Sequence, residues 1–481
     1  MSKLTRRDFV KAAAASTVFA PFTIAGTKAS GKVLGANDRI RHGVVGVNGR
    51  GSGHLSELSK LSQLDKVDVT YLIDVDTRVL GSKAKIVEEK WGVRPKCVQD
   101  LREALDDPNL DTISIATCNH THSLLSIWAC QAGKDVYVEK PLSHNIYEGR
   151  KLVEAAQKYG RVVQHGTQSR SSQKQADEIS AVHSGKYGKL LVSKGYCCKP
   201  RWSIGFKPIT TPPPELNFDL WLGPAPLQPF HENLVHYNWH WFWDFGNGDT
   251  GNQGVHQMDI ALWGIEDRAL PTRVWSVGGR FGYEDQGQTP NTQVTVYEYG
   301  DAILLFETRG LVGKHEGFGN VVTNEFYTTE GKIHGGTFTP NGGGNPEPLQ
   351  PVNARQVTPG GPFGSFMTAV RGRNSELNNA PVEVGHASSA LCHLANIAYR
   401  CGEPADLSTV KSRLGDNPQV LESFDTVERN LTAVGADPRQ LEYTLSRQLE
   451  FHPQTERFTS DDANSLLTRD YRKPFVVPEV V

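Results

Sequence analysis

The sequence has no surplus of either charge: 51 Lys and Arg stand against 53 Asp and Glu, a formal net charge of -2 over 481 residues. That excludes the basic stripe a nucleic-acid or anionic-membrane binder would carry. Cysteine is sparse, with seven at 97, 118, 130, 197, 198, 392 and 401. An odd count without ligand spacing gives neither a disulfide framework nor a metal site, and these read as buried thiols. Long apolar runs are missing too. The best of them, from Ala12 to Ile24, is too short to span a bilayer comfortably. No internal repeat is visible.

What is present begins at the N-terminus. Arg6-Arg7 is followed by Phe9 and Lys11, then by that apolar run. A basic flank ahead of a short apolar stretch is the anatomy of a twin-arginine export signal. The expected signal covers residues 1–29, with no clear small-residue cleavage site. It implies passage through the twin-arginine translocation machinery as a folded protein, into the periplasm.

Length calls for two domains, and 38% apolar residues suffice for two cores. Over 38–163, apolar strand-like runs at 43–47, 67–73, 112–116, 136–138 and 162–163 alternate with helix-like stretches at 53–64, 78–91, 121–132 and 146–159. This is the rhythm of a doubly wound parallel sheet, a Rossmann domain. Over 164–402 the period changes to two, with strands at 273–277, 292–299, 302–308 and 324–329. That predicts an α+β domain with a large, mostly antiparallel open sheet. The stretch 340–364 is rich in Gly and Pro and reads as loop. A helix follows at 384–400, and 403–481 reads as a C-terminal extension with a polar helix at 418–433.

Two stretches carry chemistry. In Gly46-Val47-Asn48-Gly49-Arg50-Gly51, glycines at a strand end allow a tight turn and let a pyrophosphate approach a helix N-terminus. Asn48 holds the place of the usual middle glycine and tolerates left-handed backbone. Downstream, Asp74 ends the second strand, where a carboxylate accepts from ribose hydroxyls and repels a 2′-phosphate. NAD is expected, with NADP left open because Arg78 is near. The second stretch is Glu139-Lys140-Pro141: a charged pair at the carboxyl edge of the sheet, with proline fixing the turn. The ammonium there polarises a substrate C–O bond.

Together with the Asn119-His120-Thr121-His122 loop and Gly254-Val255-His256-Gln257-Met258-Asp259, these motifs resemble the Gfo/Idh/MocA oxidoreductases over about residues 40 to 400. The resemblance implies NAD(P) binding, hydride transfer at a sugar or polyol carbon, and a homo-oligomer, dimer or tetramer, joined through the open sheet. It puts the catalytic lysine on Lys140, in a turn that is often cis, and the proton acceptor on His256. Cofactor contacts are expected at Gly46, Asn48, Gly49, Arg50, Gly51, Asp74, Thr117, Asn119, His122, Glu139 and Lys140. The sequence departs at Asn252, where polyol dehydrogenases of this family carry aspartate. Asn cannot stabilise an imidazolium as a carboxylate does; Asp249 and Asp259 are nearby replacements. Substrate contacts are expected at Asn252, Asp259, Gln168, Arg170 and Trp239, the last from an aromatic cluster at 237–245 whose rings suit sugar faces.

Export with a dinucleotide implies a tightly held cofactor and a redox-neutral cycle. The leading reading is a sugar or polyol oxidoreductase. The alternatives are an NAD-dependent glycoside hydrolase or lyase acting by transient oxidation, and a non-catalytic sugar-binding protein.

Overall fold

The computed structural model describes residues 38–481 except 65, 267–268, 316 and 351. The twin-arginine stretch lies outside the described residues.

The first domain is built on six parallel strands: β1 (Ile40–Val45), β2 (Val67–Ile73), β3 (Lys96–Val98), β4 (Thr112–Ile115), β5 (Asp135–Val138) and β6 (Val163–His165). Their order is β3-β2-β1-β4-β5-β6, the Rossmann order. Every residue of β4 and β5 is buried, as helices on both faces require. Asp76 caps the helix Thr77–Trp91, and Gly92 ends it in the left-handed region. Sequence reasoning misses β3, a three-residue edge strand whose first two side chains are exposed and show no period.

The second domain holds a 12-stranded sheet. Its strands are β7 (Leu190–Cys198), β8 (Arg273–Gly279), β9 (Thr292–Tyr299), β10 (Ala302–Arg309), β11 (Val321–Thr328), β12 (Gly331–His334), β13 (Thr337–Pro340), β14 (Glu347–Pro348), β15 (Glu403–Ala405), β16 (Tyr443–Leu445), β17 (Leu449–His452) and β18 (Arg457–Phe458). The main path runs β14-β13-β12-β11-β7-β10-β9-β8-β16-β15. Pairing is antiparallel except between β7 and β10. Strand β7 also escapes the sequence reading. It is central and buried on both faces, and even Lys194 is packed away near Glu307, so no alternation shows.

Helices Gly254–Ile265 and Val382–Arg400 cover one face of this sheet, joining Val255, Met258, Leu262 and Leu391 to Tyr297, Leu304 and Phe306. On the other face, helix Pro418–Ala433 lays Val420, Phe424, Val427 and Leu431 over Trp275, Val277, Val294, Val296 and Leu305. Each such buried side chain contributes roughly 1.5–3 kcal/mol. Residues 403–481 are therefore not an appended extension. Four of their strands belong to the sheet, their helix covers it, and Phe475, Val477 and Val481 return to the core of the Rossmann domain. The expected open sheet is present, and over β8–β10 this chain's own helix covers the face opposite the first two helices. The expected loop at 340–364 is irregular at first, with the short β14, and then begins helix Gly361–Gly372, whose Phe363 stacks on Tyr137.

Candidate active site

A cavity of about 480 Å³ runs along the carboxyl edge of the parallel sheet and under the second domain. At one end β1 turns sharply: Gly46 has φ +76° and Gly49 φ +44°. A Cβ on Gly46 would stand 2.7 Å from the Ala116 carbonyl, and one on Gly51 would stand 1.8 Å from the Gly46 carbonyl. Only glycine fits there. Gly51 itself does not line the cavity; it makes the turn possible rather than facing a ligand. The helix that follows, Arg50–Leu64, has no acidic residue in its first turn, which leaves its positive end open to a pyrophosphate.

Asp74 is fixed by two backbone donors, Val47 N to Oδ2 at 2.9 Å and Asp76 N to Oδ1 at 3.0 Å. Burial pushes its pKa up while those donors oppose the rise. Arg78 is held on both oxygens of Asp76, its Nε at 2.8 and 3.1 Å. Arg78 is thereby tied to Asp76 and does not line the cavity, whereas Asp74 does. The glycine cradle, the open helix end and the anchored carboxylate together fit a dinucleotide.

Thr117 and His122 line the cavity, but the His122 ring lies 2.7 Å from the Pro141 carbonyl and 3.1 Å from that of Thr117. It ties two turns together. Asn119 is buried, with its Oδ1 unpartnered, and does not line the cavity; its place at the start of helix Asn119–Gln131 turns it inward, against the expectation of a cofactor contact.

The Lys140–Pro141 bond is cis. Just before it, Glu139 accepts from Arg50 Nε at 2.7 Å and His54 Nε2 at 3.1 Å, with Gln168 Nε2 at 3.4 Å. Burial alone would raise the Glu139 pKa; His54, Arg50 and Lys140 outweigh it and hold the carboxyl well below its usual range. Lys140 Nζ donates to the Asn252 carbonyl at 2.7 Å and to Asn252 Oδ1 at 3.3 Å. Burial lowers the Lys140 pKa, opposed by Glu139 and Asp249. Asn252 thus steers the lysine. His256 lines the same cavity, and among the described residues no hydrogen bond reaches its ring. Burial, then Lys140, brings its pKa down to about 3, so the imidazole is neutral.

Two expected substrate contacts are elsewhere. Arg170 and Asp259 are 1% and 0% exposed and hold each other, Nε to Oδ2 at 2.8 Å, with Ser388 adding a bond to Asp259. A fully buried pair of this kind, outside the cavity lining, is an internal strut between the helices. Asp249 does not stand in for the missing aspartate either: it accepts from Arg201 at 2.8 Å and lies behind the cavity wall. Gln168 and Trp239 do line the cavity. The aromatic cluster forms a short 3₁₀ turn, Asn238–Trp241, rather than an α-helix, so Trp239 and Trp243 do not share a helical face.

Residues 215–245 form the far wall. They hook onto the Rossmann domain through Asn217 N to the Val75 carbonyl at 2.8 Å, Thr77 N to the Glu215 carbonyl at 3.1 Å, and His236 Nε2 with Asp76 at 3.0 Å. Arg472 ties them from the C-terminal side by donating to the Gly223 carbonyl at 3.0 Å. Tyr237 and His240, from the aromatic cluster expected to meet a sugar, line the cavity; Trp221 and His236 of this segment, with Trp128 and Phe475, line it too and were not singled out from sequence. His54 was missed as well: nothing in the spacing of a buried helix histidine points to a glutamate 85 residues away. Among the described residues there is no cluster suited to a metal ion and no helix long and apolar enough to cross a membrane.

A Rossmann sheet with this turn, joined to a second domain that supplies a lysine-facing wall, defines the class of two-domain nicotinamide oxidoreductases. Residues 40–167 match the oxidoreductase family with an NAD-binding Rossmann fold, and residues 189–434 match that family's C-terminal alpha/beta domain. The chain belongs to the Gfo/Idh/MocA oxidoreductase family, and NAD is its cofactor. It is 27% identical over 157 residues to an inositol 2-dehydrogenase of Salmonella paratyphi B, covering 32% of this chain and 45% of that one. It is 26% identical over 221 residues to a glycosyl hydrolase family 109 protein of Shewanella pealeana, covering 42% and 48%. The chain thus spans about half the length of these curated relatives. The WlbA dehydrogenase of Bordetella pertussis, solved with NADH and UDP-GlcNAcA, shares the fold, with a TM-score of 0.56 at 16% identity over 76% of this chain and 97% of that one.

Proposed function

We propose that the chain moves hydride between NAD and a carbinol carbon of a sugar or polyol. The observation that carries this is one cavity lined at one end by the glycine turn and Asp74, and at the other by Lys140 and His256. NAD supplies the hydride-accepting ring. Lys140, steered by Asn252, donates a hydrogen bond to the reacting oxygen and stabilises charge developing on it. Neutral His256 takes the hydroxyl proton. Glu139 holds the catalytic turn and Arg50 together, so the phosphate loop and the lysine keep one register. Gln168 and Trp239 line the same space and supply a hydrogen-bonding group and an aromatic face for a sugar.

The same proposal includes a retained cofactor, because residues 215–245 strap the groove to β2's far end and the C-terminal tail ties the strap down. It also includes export by the twin-arginine route, from Arg6-Arg7, to the periplasm, and a homo-oligomer, dimer or tetramer. A second reading, glycoside cleavage through transient oxidation, is favoured by the Shewanella pealeana relative, whose name places that protein in glycosyl hydrolase family 109.

The test is to mix purified protein, without added nucleotide, with a panel of hexoses, methyl glycosides and inositols and watch the reduced-nicotinamide absorbance. The proposal expects a stoichiometric rise with at least one member. No rise with any member, even after NAD is added, would end it.

A further inference from the structure

The C-terminal segment reaches the cavity at the end farthest from Lys140. Along the sheet edge, Lys140 follows β5, Thr117 follows β4, the glycine turn follows β1, Asp74 follows β2 and Gln99 follows β3; all of them line the cavity. With a pyrophosphate at the glycine turn and Asp74 on the adenosine ribose, the adenine base falls on the β3 side of Asp74. There Leu101, first residue of helix Leu101–Leu105, and Trp128 of helix Asn119–Gln131 meet Phe475 in one buried cluster. All three line the cavity. The Trp128 and Phe475 rings stand 6.3 Å apart, and the Arg102 guanidinium lies 5.6 and 5.7 Å from their centroids. Asp100 fixes that guanidinium by accepting from Arg102 Nε at 3.0 Å on both oxygens. A second guanidinium, that of Arg472, lies 4.7 Å from the Phe475 centroid.

Phe475 comes from a stretch without a ladder. Residues 466–481 belong to no helix and no strand. Side chains do much of the holding. Arg472 Nε donates to the Gly223 carbonyl at 3.0 Å, and its guanidinium pairs with Asp219. Arg469 donates to the Asp244 carbonyl at 2.8 Å, Asn145 donates to the Tyr471 hydroxyl at 3.4 Å, and Lys158 donates to the Val481 carbonyl. Of residues 470–481, Phe475, Val477 and Val481 alone are buried. A segment with so few buried side chains and no regular ladder opens at a lower free energy than the core it covers.

We propose that residues 469–481 are a lid over the adenosine end of NAD, that the adenine packs against the Phe475 ring, and that the nucleotide leaves only when this lid lifts. The inference rests on the dinucleotide reading of the cavity and adds the element that controls exchange. The glycine turn and Asp74 hold the pyrophosphate and the ribose, and the base beyond them is left to the lid. An adenine ring presents a flat face that an aromatic side chain accepts. Within residues 466–481, Phe475 is the residue that lines the cavity, and the Lys140 end is walled by other parts of the chain. The lid therefore acts on ligands that carry adenosine and not on the nicotinamide half alone.

The experiment follows nucleotide exchange on the full chain, apart from any turnover. Protein loaded with NADH is chased with excess NAD, and the loss of nicotinamide fluorescence gives the release rate. Phe475→Ala should speed release about tenfold and weaken ADP-ribose, measured by competition, in the same proportion. Nicotinamide mononucleotide should bind within about twofold of wild type, because it carries no adenine. Phe475→Tyr keeps the ring and should restore slow release. Arg472→Gln leaves Phe475 in place, cuts the tie to Asp219 and should also speed release. Hydrogen exchange gives a separate readout on wild type: amides of residues 472–477 should exchange about tenfold more slowly with NADH bound than with nicotinamide mononucleotide bound. Unchanged release in Phe475→Ala and Arg472→Gln, equal weakening of ADP-ribose and the mononucleotide, or the same exchange with either nucleotide would each overturn the lid and leave the dinucleotide site standing. Wild type that binds none of these nucleotides would overturn both.

Discussion

The two ends of the cavity are built differently. The dinucleotide end is made of short-span backbone contacts: Asp74 is held by Val47, 27 residues away, and the turn at Gly46 admits no side chain. At the substrate end, Lys140 reaches Asn252 across 112 residues and the wall comes from another domain. The first end is a property of a local chain path, and the second exists only once both domains have packed. Binding and chemistry should therefore be separable by mutation.

The sharpest way to separate them is Lys140→Ala. It removes the hydrogen-bond donor to the reacting oxygen and touches none of the phosphate turn. Turnover should fall about 10³-fold while bound nucleotide stays at wild-type stoichiometry, measured by single-turnover absorbance and by nucleotide released on denaturation. Loss of nucleotide together with turnover would erase the distinction between the ends.

Acid tests whether the domains stand or fall together. Burial holds His42, His120 and His165 in the first domain, and His240, His256 and His393 in the second, at pKa values of about 3. A histidine depressed in the fold contributes stability above its unfolded pKa, near 6.5, and loses it as pH falls through that value toward 3. Each can cost up to about 1.4 kcal/mol per pH unit. Against a net stability of about 5–15 kcal/mol, Tm should drop steeply between pH 6.5 and 5, in one transition. A flat Tm, or two transitions, would show the histidines protonating in place or the halves unfolding separately.

Gly46→Ala attacks the dinucleotide end alone. Its φ of +76° and the 2.7 Å approach to the Ala116 carbonyl leave no room for a methyl group. A loss of roughly 3 kcal/mol is expected, seen in Tm, together with loss of retained nucleotide. A variant that is stable and still loaded would mean the turn is looser than drawn. The smallest effect belongs to Asp74→Ala. NAD affinity should weaken about tenfold, or about 1.4 kcal/mol, with NADP gaining relative to NAD. Unchanged preference would point to Arg78 escaping from Asp76.

This contrast also explains what could be read from sequence. The glycine turn, Asp74 and the Glu139-Lys140-Pro141 turn are local, and the structure brings them together along one sheet edge. Of the second-domain strands read from sequence only β11 alternates wet and dry; β8, β9 and β10 are buried on both faces, as β7 is, and the left-handed Gly300 turn marks the hairpin between β9 and β10, whereas β7 has no such partner next to it in sequence. Spacing could not show that Asp259 spends both oxygens on Arg170, since that pair spans 89 residues. Nor could it show Phe475 returning to line a cavity in the first domain. The aromatic cluster was visible as composition, but the contact of the His240 ring with the Tyr237 carbonyl at 2.6 Å was not.

The central claim is that a substrate carbon faces the nicotinamide between Lys140 and His256. It is tested most directly with a sugar deuterated at the carbon that is oxidised, mixed once with holoprotein and followed by mass analysis of the released nucleotide. The account predicts one deuterium per chain on the nicotinamide ring; cofactor that is reduced but unlabelled would contradict it.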